Sequence, residues 1–263
     1  MGDRGTYPAR TVGIVQARMT SSRFPGKVLA DLAHAPMIAR QWQRLRRAQR
    51  MDALILATSD HETDDVLASW AHSSGIPVVR GPLDDVLGRF VMAVEATDAD
   101  VVVRLTADCP LACPEIVDRV IERFFDESAD YCSNTLHPTF PDGVDVEVVA
   151  SEVLRHIDAV SEDPHEREHV TLGVYRRPES FRLVSVTDEQ DRSALRWTVD
   201  TPEDLEFVQA VYARLGPHGE PFGYAEILGL LNDEPDLLHI GRRNAALDGL
   251  DTGAMRHRLG EEP

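Results

Sequence analysis

Apolar runs of strand length alternate with amphipathic stretches of helical period along most of this chain, and that alternation restricts the fold more than any other feature. The runs are TVGIVQA (11–17), ALILATS (53–59), IPVVR (76–80), DVVVRLT (100–106), DYCSN (130–134), VDVEVVA (144–150), FRLVSV (181–186) and RWTVD (196–200). Helical patterns fall between most of them, at 37–50, 62–74, 83–97, 114–128, 151–161 and 202–215. Strands separated by helices return in parallel to one sheet, and strands covered on both faces read as near-continuous Val, Ile and Leu. The expected class is α/β, a mixed, mostly parallel sheet between helices. Residues 131–187 break the rhythm with closely spaced strand-like pieces and a short helix, so an antiparallel excursion or a lid is expected there. That region is also the natural place for a second substrate or a subunit contact. Residues 1–10 are expected to be a flexible N-terminus, 11–240 one domain, and 241–263, which lose apolar periodicity, a loose tail.

Charge narrows the partners. With 45 acidic and 27 basic side chains in 263 residues, the formal net charge is -18. Such a surface repels a phosphodiester backbone or an anionic bilayer, so nucleic-acid and membrane partners are not expected. A small anionic substrate is compatible, because a local cluster of cations reverses the field at one cleft. There is no long apolar run, and MGDRGTYPAR lacks the apolar core of a signal peptide, so a cytoplasmic location is expected. Three cysteines, Cys109, Cys113 and Cys132, fit reducing surroundings and structural thiols.

The first strand leads into RMTSSRFPGK (18–27), which holds three cations and no acid. Lys27 is the only lysine among 27 basic residues. Backbone N–H groups and the Ser22 hydroxyl of this loop can donate to phosphate oxygens, Arg18 can bind them bidentately, and Arg23 is a third cation. Lysine adds a compact charge on a mobile stem that can follow a phosphate as charge builds on it. The loop is neither a Walker loop nor a GxGxxG fingerprint; by pattern it is an anion-binding turn after the first strand.

Two aspartates fall at the carboxyl ends of predicted strands. Asp108 follows DVVVRLT and precedes Cys109-Pro110, while Asp200 ends RWTVD and precedes Thr201-Pro202-Glu203-Asp204, a strong helix start. Ligands of open parallel sheets bind beyond those ends, so both carboxylates should emerge beside the 18–27 loop. Two carboxylates facing a phosphate-binding loop suit Mg2+, which completes its shell with water and phosphate. Each also has a structural reading, Asp200 as a helix cap and Asp108 as a turn former.

At this point QARMTSSRFPGKVL, ATSDHETDD, GPLDDVLGRF, VRLTADCP, SNTLHPTFPDGVDVEV, EREHVT and RWTVDTPEDLE together resemble the cytidylyltransferases that activate sugar acids, such as 3-deoxy-manno-octulosonate and acylneuraminate cytidylyltransferases. The closer likeness is to the spore coat polysaccharide biosynthesis protein F-like branch. It implies the nucleotide-diphospho-sugar transferase fold, with Arg18 and Lys27 on the triphosphate, Asp108 and Asp200 on a metal, His169 on the sugar-acid side, and Arg80 and Gly81 near the nucleotide base. The wider family usually has Gln-Gly-Asp-x-Pro where this chain has Thr106-Ala107-Asp108-Cys109-Pro110, which leaves base selection open.

The implied reaction moves a cytidylyl group from CTP to a hydroxyl of a sugar acid or related acceptor, releasing pyrophosphate. Acceptor contacts are expected from Asn134, Asp142, Asp145 and Glu147 around a Pro-Asp-Gly turn, and from Arg167 and His169, although a solvated hairpin with surface acids is an equal reading of the turn. Homodimers are common in the resembled family. Competing readings are a same-fold enzyme using another nucleotide, a non-catalytic nucleotide-binding protein, and a zinc hydrolase through His165-Glu166-Arg167-Glu168-His169. The last lacks the long helix and third ligand that an HExxH site needs.

Overall fold

The computed structural model describes residues 9–217 and 219–240. The expected loose tail at 241–263 and most of the expected flexible N-terminus lie outside them. A seven-stranded sheet of order β5-β4-β1-β6-β8-β7-β9 forms the centre. Its strands are β1 (Thr11–Gln16), β4 (Ala53–Ser59), β5 (Val78–Gly81), β6 (Val101–Thr106), β7 (Tyr131–Ser133), β8 (Glu147–Ala150) and β9 (Leu183–Ser185). β5, β4, β1 and β6 pair in parallel; β8 is antiparallel to both β6 and β7, and β9 returns in parallel to β7. One reversed strand is thus the antiparallel excursion expected after residue 131.

Helices cover both faces because alternate strand residues are apolar on each. Val15, Leu56, Val103 and Leu105 pack with α1 (Met37–Leu45), α2 (Asp65–Ser73), α4 (Pro114–Asp126), α8 (Pro202–Leu215) and α9 (Tyr224–Asp233). Val12, Ile14, Ile55 and Val102 pack with α3 (Val86–Thr97), α5 (Ser151–Val160) and α7 (Leu172–Tyr175). The short helix α6 (Pro164–His169) sits against α3. A small hairpin, β2 (Asp31–Leu32) with β3 (Ala35–Pro36), and α9 were not anticipated, being too short or too weakly periodic to stand out.

The segment 196–200, expected as a strand, belongs to no sheet strand; it is an extended arm whose one ladder contact is the bridge between Asp142 and Arg196. Its alternation is real, since Trp197 and Val199 are fully buried, but its backbone bonds to loops: Trp197 N–H donates to the Asp142 carbonyl (2.6 Å) and Val199 N–H to the Asp108 carbonyl (2.8 Å). Gly143 makes this approach feasible. Its φ is 113°, and a Cβ there would lie 2.6 Å from the Thr198 nitrogen.

Candidate active site

β1, β4, β5 and β6 run the same way, so their carboxyl ends share one edge, and there the segments after β1, β5 and β6, with Glu168, His169 and Asp200, line a cleft of about 300 Å³. The loop after β1 is closed by Gly26, in the left-handed region at φ 75°, whose N–H donates to the Met19 carbonyl (2.9 Å). Asp64 fixes the start of that loop by accepting from the Met19 N–H (2.7 Å) while also accepting from Thr58 and Ser59. Arg18, Ser22, Arg23 and Lys27 all line the cleft, together with Thr106, Asp108, His169 and Asp200.

Lys27 is only 8 % exposed, and its ammonium sits between the two aspartates. It donates to Asp200 Oδ1 (2.7 Å), to the Val199 carbonyl (2.7 Å) and to Asp108 Oδ2 (3.4 Å). Asp200 also receives Arg23 (3.1 Å) and Arg196 (2.5 Å) on its other oxygen. Burial pushes the Asp200 carboxyl up, but the charge and hydrogen bond of Lys27, with Arg23 and Arg196, outweigh it and hold the group below the usual carboxylate range. The backbone there is set by α8: Asp204 accepts from the Asp200 and Thr201 N–H groups (2.8 Å each) and Thr201 caps in return. The ammonium shows that both carboxylates reach one cation. Two hard carboxylates, with no third acidic, His or Cys ligand grouped with them among the described residues, could hold a divalent ion only if it kept water or phosphate in the rest of its shell.

Residues 12–221 match the model of the family described as Cytidylyltransferase. The chain belongs to the cytidylyltransferase family. Among its relatives is the spore coat polysaccharide biosynthesis protein SpsF of Bacillus subtilis, 36% identical over 231 residues that cover 85% of this chain and 94% of that one. A 3-deoxy-manno-octulosonate cytidylyltransferase of Chlorobium phaeobacteroides is 33% identical over 135 residues, 51% of this chain and 53% of its own. A solved cytidylyltransferase from Leptospira borgpetersenii superposes with a TM-score of 0.83 at 27% identity, covering 88% of this chain and 97% of that one.

Other residues singled out in the sequence of this cytidylyltransferase lie away from the cleft lining. Arg80 fastens the loop after β4, donating to the Ser59 and His61 carbonyls and to Asp65, and Gly81 is buried where a Cβ would meet Arg89 Cγ at 2.9 Å. Asn134 is buried and ties Val144 and Val146 to the end of β7. Asp142 holds Arg196, and half-buried Asp145 lies near Cys109, whose thiol is pushed up by burial first and then by Asp108 and Asp145. Glu147 is a buried brace, opposite Arg104 in the β6–β8 ladder, ion-paired to it and hydrogen-bonded by Tyr131 and Thr171. Arg167 clamps α6 to Asp85 and Asp158, both at 2.7 Å.

The HExxH pattern does not make a metal site. Its Glu166 is buried against Ser161 (2.5 Å) and Arg177 (3.0 Å), while His165 is exposed. His169, by contrast, enters the cleft through a tight γ-turn on Val170, which has φ 54° and ψ -64°. The Thr171 N–H closes that turn on the His169 carbonyl (2.6 Å).

The charged and amide side chains of the cleft that the sequence did not single out are Gln16, Arg89, Arg104 and Glu168. Gln16 faces Thr106 across β1 and β6 and accepts from Arg104 Nε (3.0 Å), two positions back on β6, and Glu168 approaches Arg18 at 3.6 Å. Strand alternation put positions 16, 104 and 106 on one face, which was the available signal. A larger cavity, about 560 Å³ between Trp42 and Trp70, opens at the opposite sheet edge and contains none of this cluster. Cys109, Cys113 and Cys132 are free and buried, the last two thiols pushed up to about 12 by burial. Among the described residues no helix is long and apolar enough to cross a membrane.

Proposed function

We propose that this cytidylyltransferase moves a cytidylyl group from CTP to a hydroxyl of a sugar acid or related acceptor, with Mg2+ held by Asp108 and Asp200. The observation that carries the reading is the Lys27 ammonium lodged between those two carboxylates, beside a cationic loop at the open edge of the sheet. Relatives named for sugar-acid activation and for polysaccharide biosynthesis support the acceptor class.

In this reading the acceptor hydroxyl gives its proton to solvent, its oxygen forms a bond to the α-phosphorus, the bond from that phosphorus to the bridging oxygen breaks, and pyrophosphate leaves with the electron pair. A divalent ion at the two aspartates supplies charge neutralisation and a lowered pKa for the acceptor hydroxyl. The chain's own cations do the rest. Arg18 and Arg23 hold phosphate oxygens, and Lys27, released from its carboxylates, neutralises charge growing on the departing pyrophosphate. His169 and the wall formed by Arg104 and Glu168 face the acceptor.

The test is pyrophosphate release from each of four nucleoside triphosphates with Mg2+ and a panel of sugar acids. Release with CTP and one acid, abolished in Asp108→Asn, is expected. Binding of CTP without turnover against any acid would overturn the reading. Preference for another triphosphate would assign Thr106, in place of the glutamine of the wider family, to a different base.

A further inference from the structure

Arg89 stands near the start of α3, lines the cleft, and is 2 % exposed. Its Nη1 donates to the carbonyls of Pro82 (2.6 Å) and Leu83 (2.9 Å), which fixes the plane of the guanidinium. Nε, buried, has no hydrogen-bond partner, and no described carboxylate forms an ion pair with the group. The other cleft cations differ. Lys27 and Arg23 share Asp200, Arg104 has Glu147, and Arg18 approaches Glu168. A cation removed from water with no carboxylate in contact is unfavourable, and burial, followed by the like charge of Arg18, pulls the Arg89 pKa down although Asp64, Asp85 and Asp60 oppose it from a distance. The space for its stem is nevertheless built in, because Gly81 lacks the Cβ that would strike it.

The geometry points to Arg89 as an additional nucleotide-binding residue that takes two oxygens of the triphosphate on its Nε–Nη2 edge, an inference that rests on the CTP reading. That edge presents two parallel N–H groups, the fork that matches an oxyanion bidentately. An acceptor carboxylate has the same chemistry. Arg89 nonetheless enters from the β5–α3 side, in the electrostatic reach of Arg18 and the phosphate loop, whereas Arg104 and His169 close the side toward β8. Phosphate is therefore the assigned source.

Calorimetry on the full chain tests this with inorganic pyrophosphate, CTP and 3-deoxy-manno-octulosonate, comparing wild type with Arg89→Met and Arg89→Lys. Pyrophosphate and CTP affinity should fall about tenfold to hundredfold in Arg89→Met and less in Arg89→Lys, with sugar-acid binding unchanged. Should Arg89→Met fail to fold, the lysine variant decides, since it keeps charge and stem but loses the fork. Unchanged pyrophosphate affinity in a folded variant overturns the inference, as does a loss confined to the sugar acid. If the wild type itself binds neither pyrophosphate nor CTP, the nucleotide reading fails, and this inference falls with it.

Discussion

Three oxygens hold the Lys27 ammonium, and the pocket is sized for one nitrogen on an unbranched stem rather than a planar fork. Lys27→Arg preserves charge but cannot occupy the point between Asp108 and Asp200. Pyrophosphate release should drop about a hundredfold or more in that variant, the scale of losing one preorganised electrostatic partner. The rarity of lysine made this position conspicuous in the sequence. Glu147 was not legible in the same way: its partner Arg104 is 43 residues away, and only the antiparallel register places them opposite each other. Glu147→Gln leaves a buried guanidinium without its counter-charge, so urea unfolding should show a loss of about 3 kcal/mol. Asn134 and Arg167 were likewise chemically suggestive, yet their donors are taken up by neighbouring loops and helices, which composition does not reveal.

At the scale of elements, α8 was readable to the residue because its start signal is local: Thr201 caps, Pro202 opens, and Asp204 completes the capping box. Asp204→Ala should destabilise by about 1–2 kcal/mol in denaturant titration and also lower turnover, since the same carboxylate anchors the Asp200 backbone. The arm at 196–200 was harder, because its alternation reports burial and says nothing of which backbone it pairs with. Its position depends on the turn at Gly143. Gly143→Ala should cost about 1–3 kcal/mol from strain at a positive φ, more where the Thr198 backbone has to give way, with activity falling in parallel as the arm shifts.

For the whole molecule, the alternation of strands and helices conveyed the layers, while strand order depended on long-range pairing that periodicity does not encode. Acid stability is also set by long-range pairs. Burial pushes the Asp85 and Glu166 carboxyls up, but Arg167 and the Gly88 N–H for the first, and Ser161 and Arg177 for the second, outweigh it and lower both. Groups depressed in the native state contribute stability that is present above their unfolded values, about 3.9 and 4.3, and lost as pH falls through the lower native ones. Glu166→Gln should therefore be less stable than wild type at neutral pH and show a flatter fall in stability below about pH 4, measured by urea midpoints across pH. The single reversed strand β8 carries one more consequence. It is a seam: the 18–27 loop, Lys27 and Asp108 lie on the parallel side, while the wall bearing His169 is threaded through the segment that begins after β7. A homologous 131–187 segment grafted across that seam would exchange the wall around His169, and would leave Asp200 in place only where the donor keeps Asp142 and Gly143, on which its arm rests.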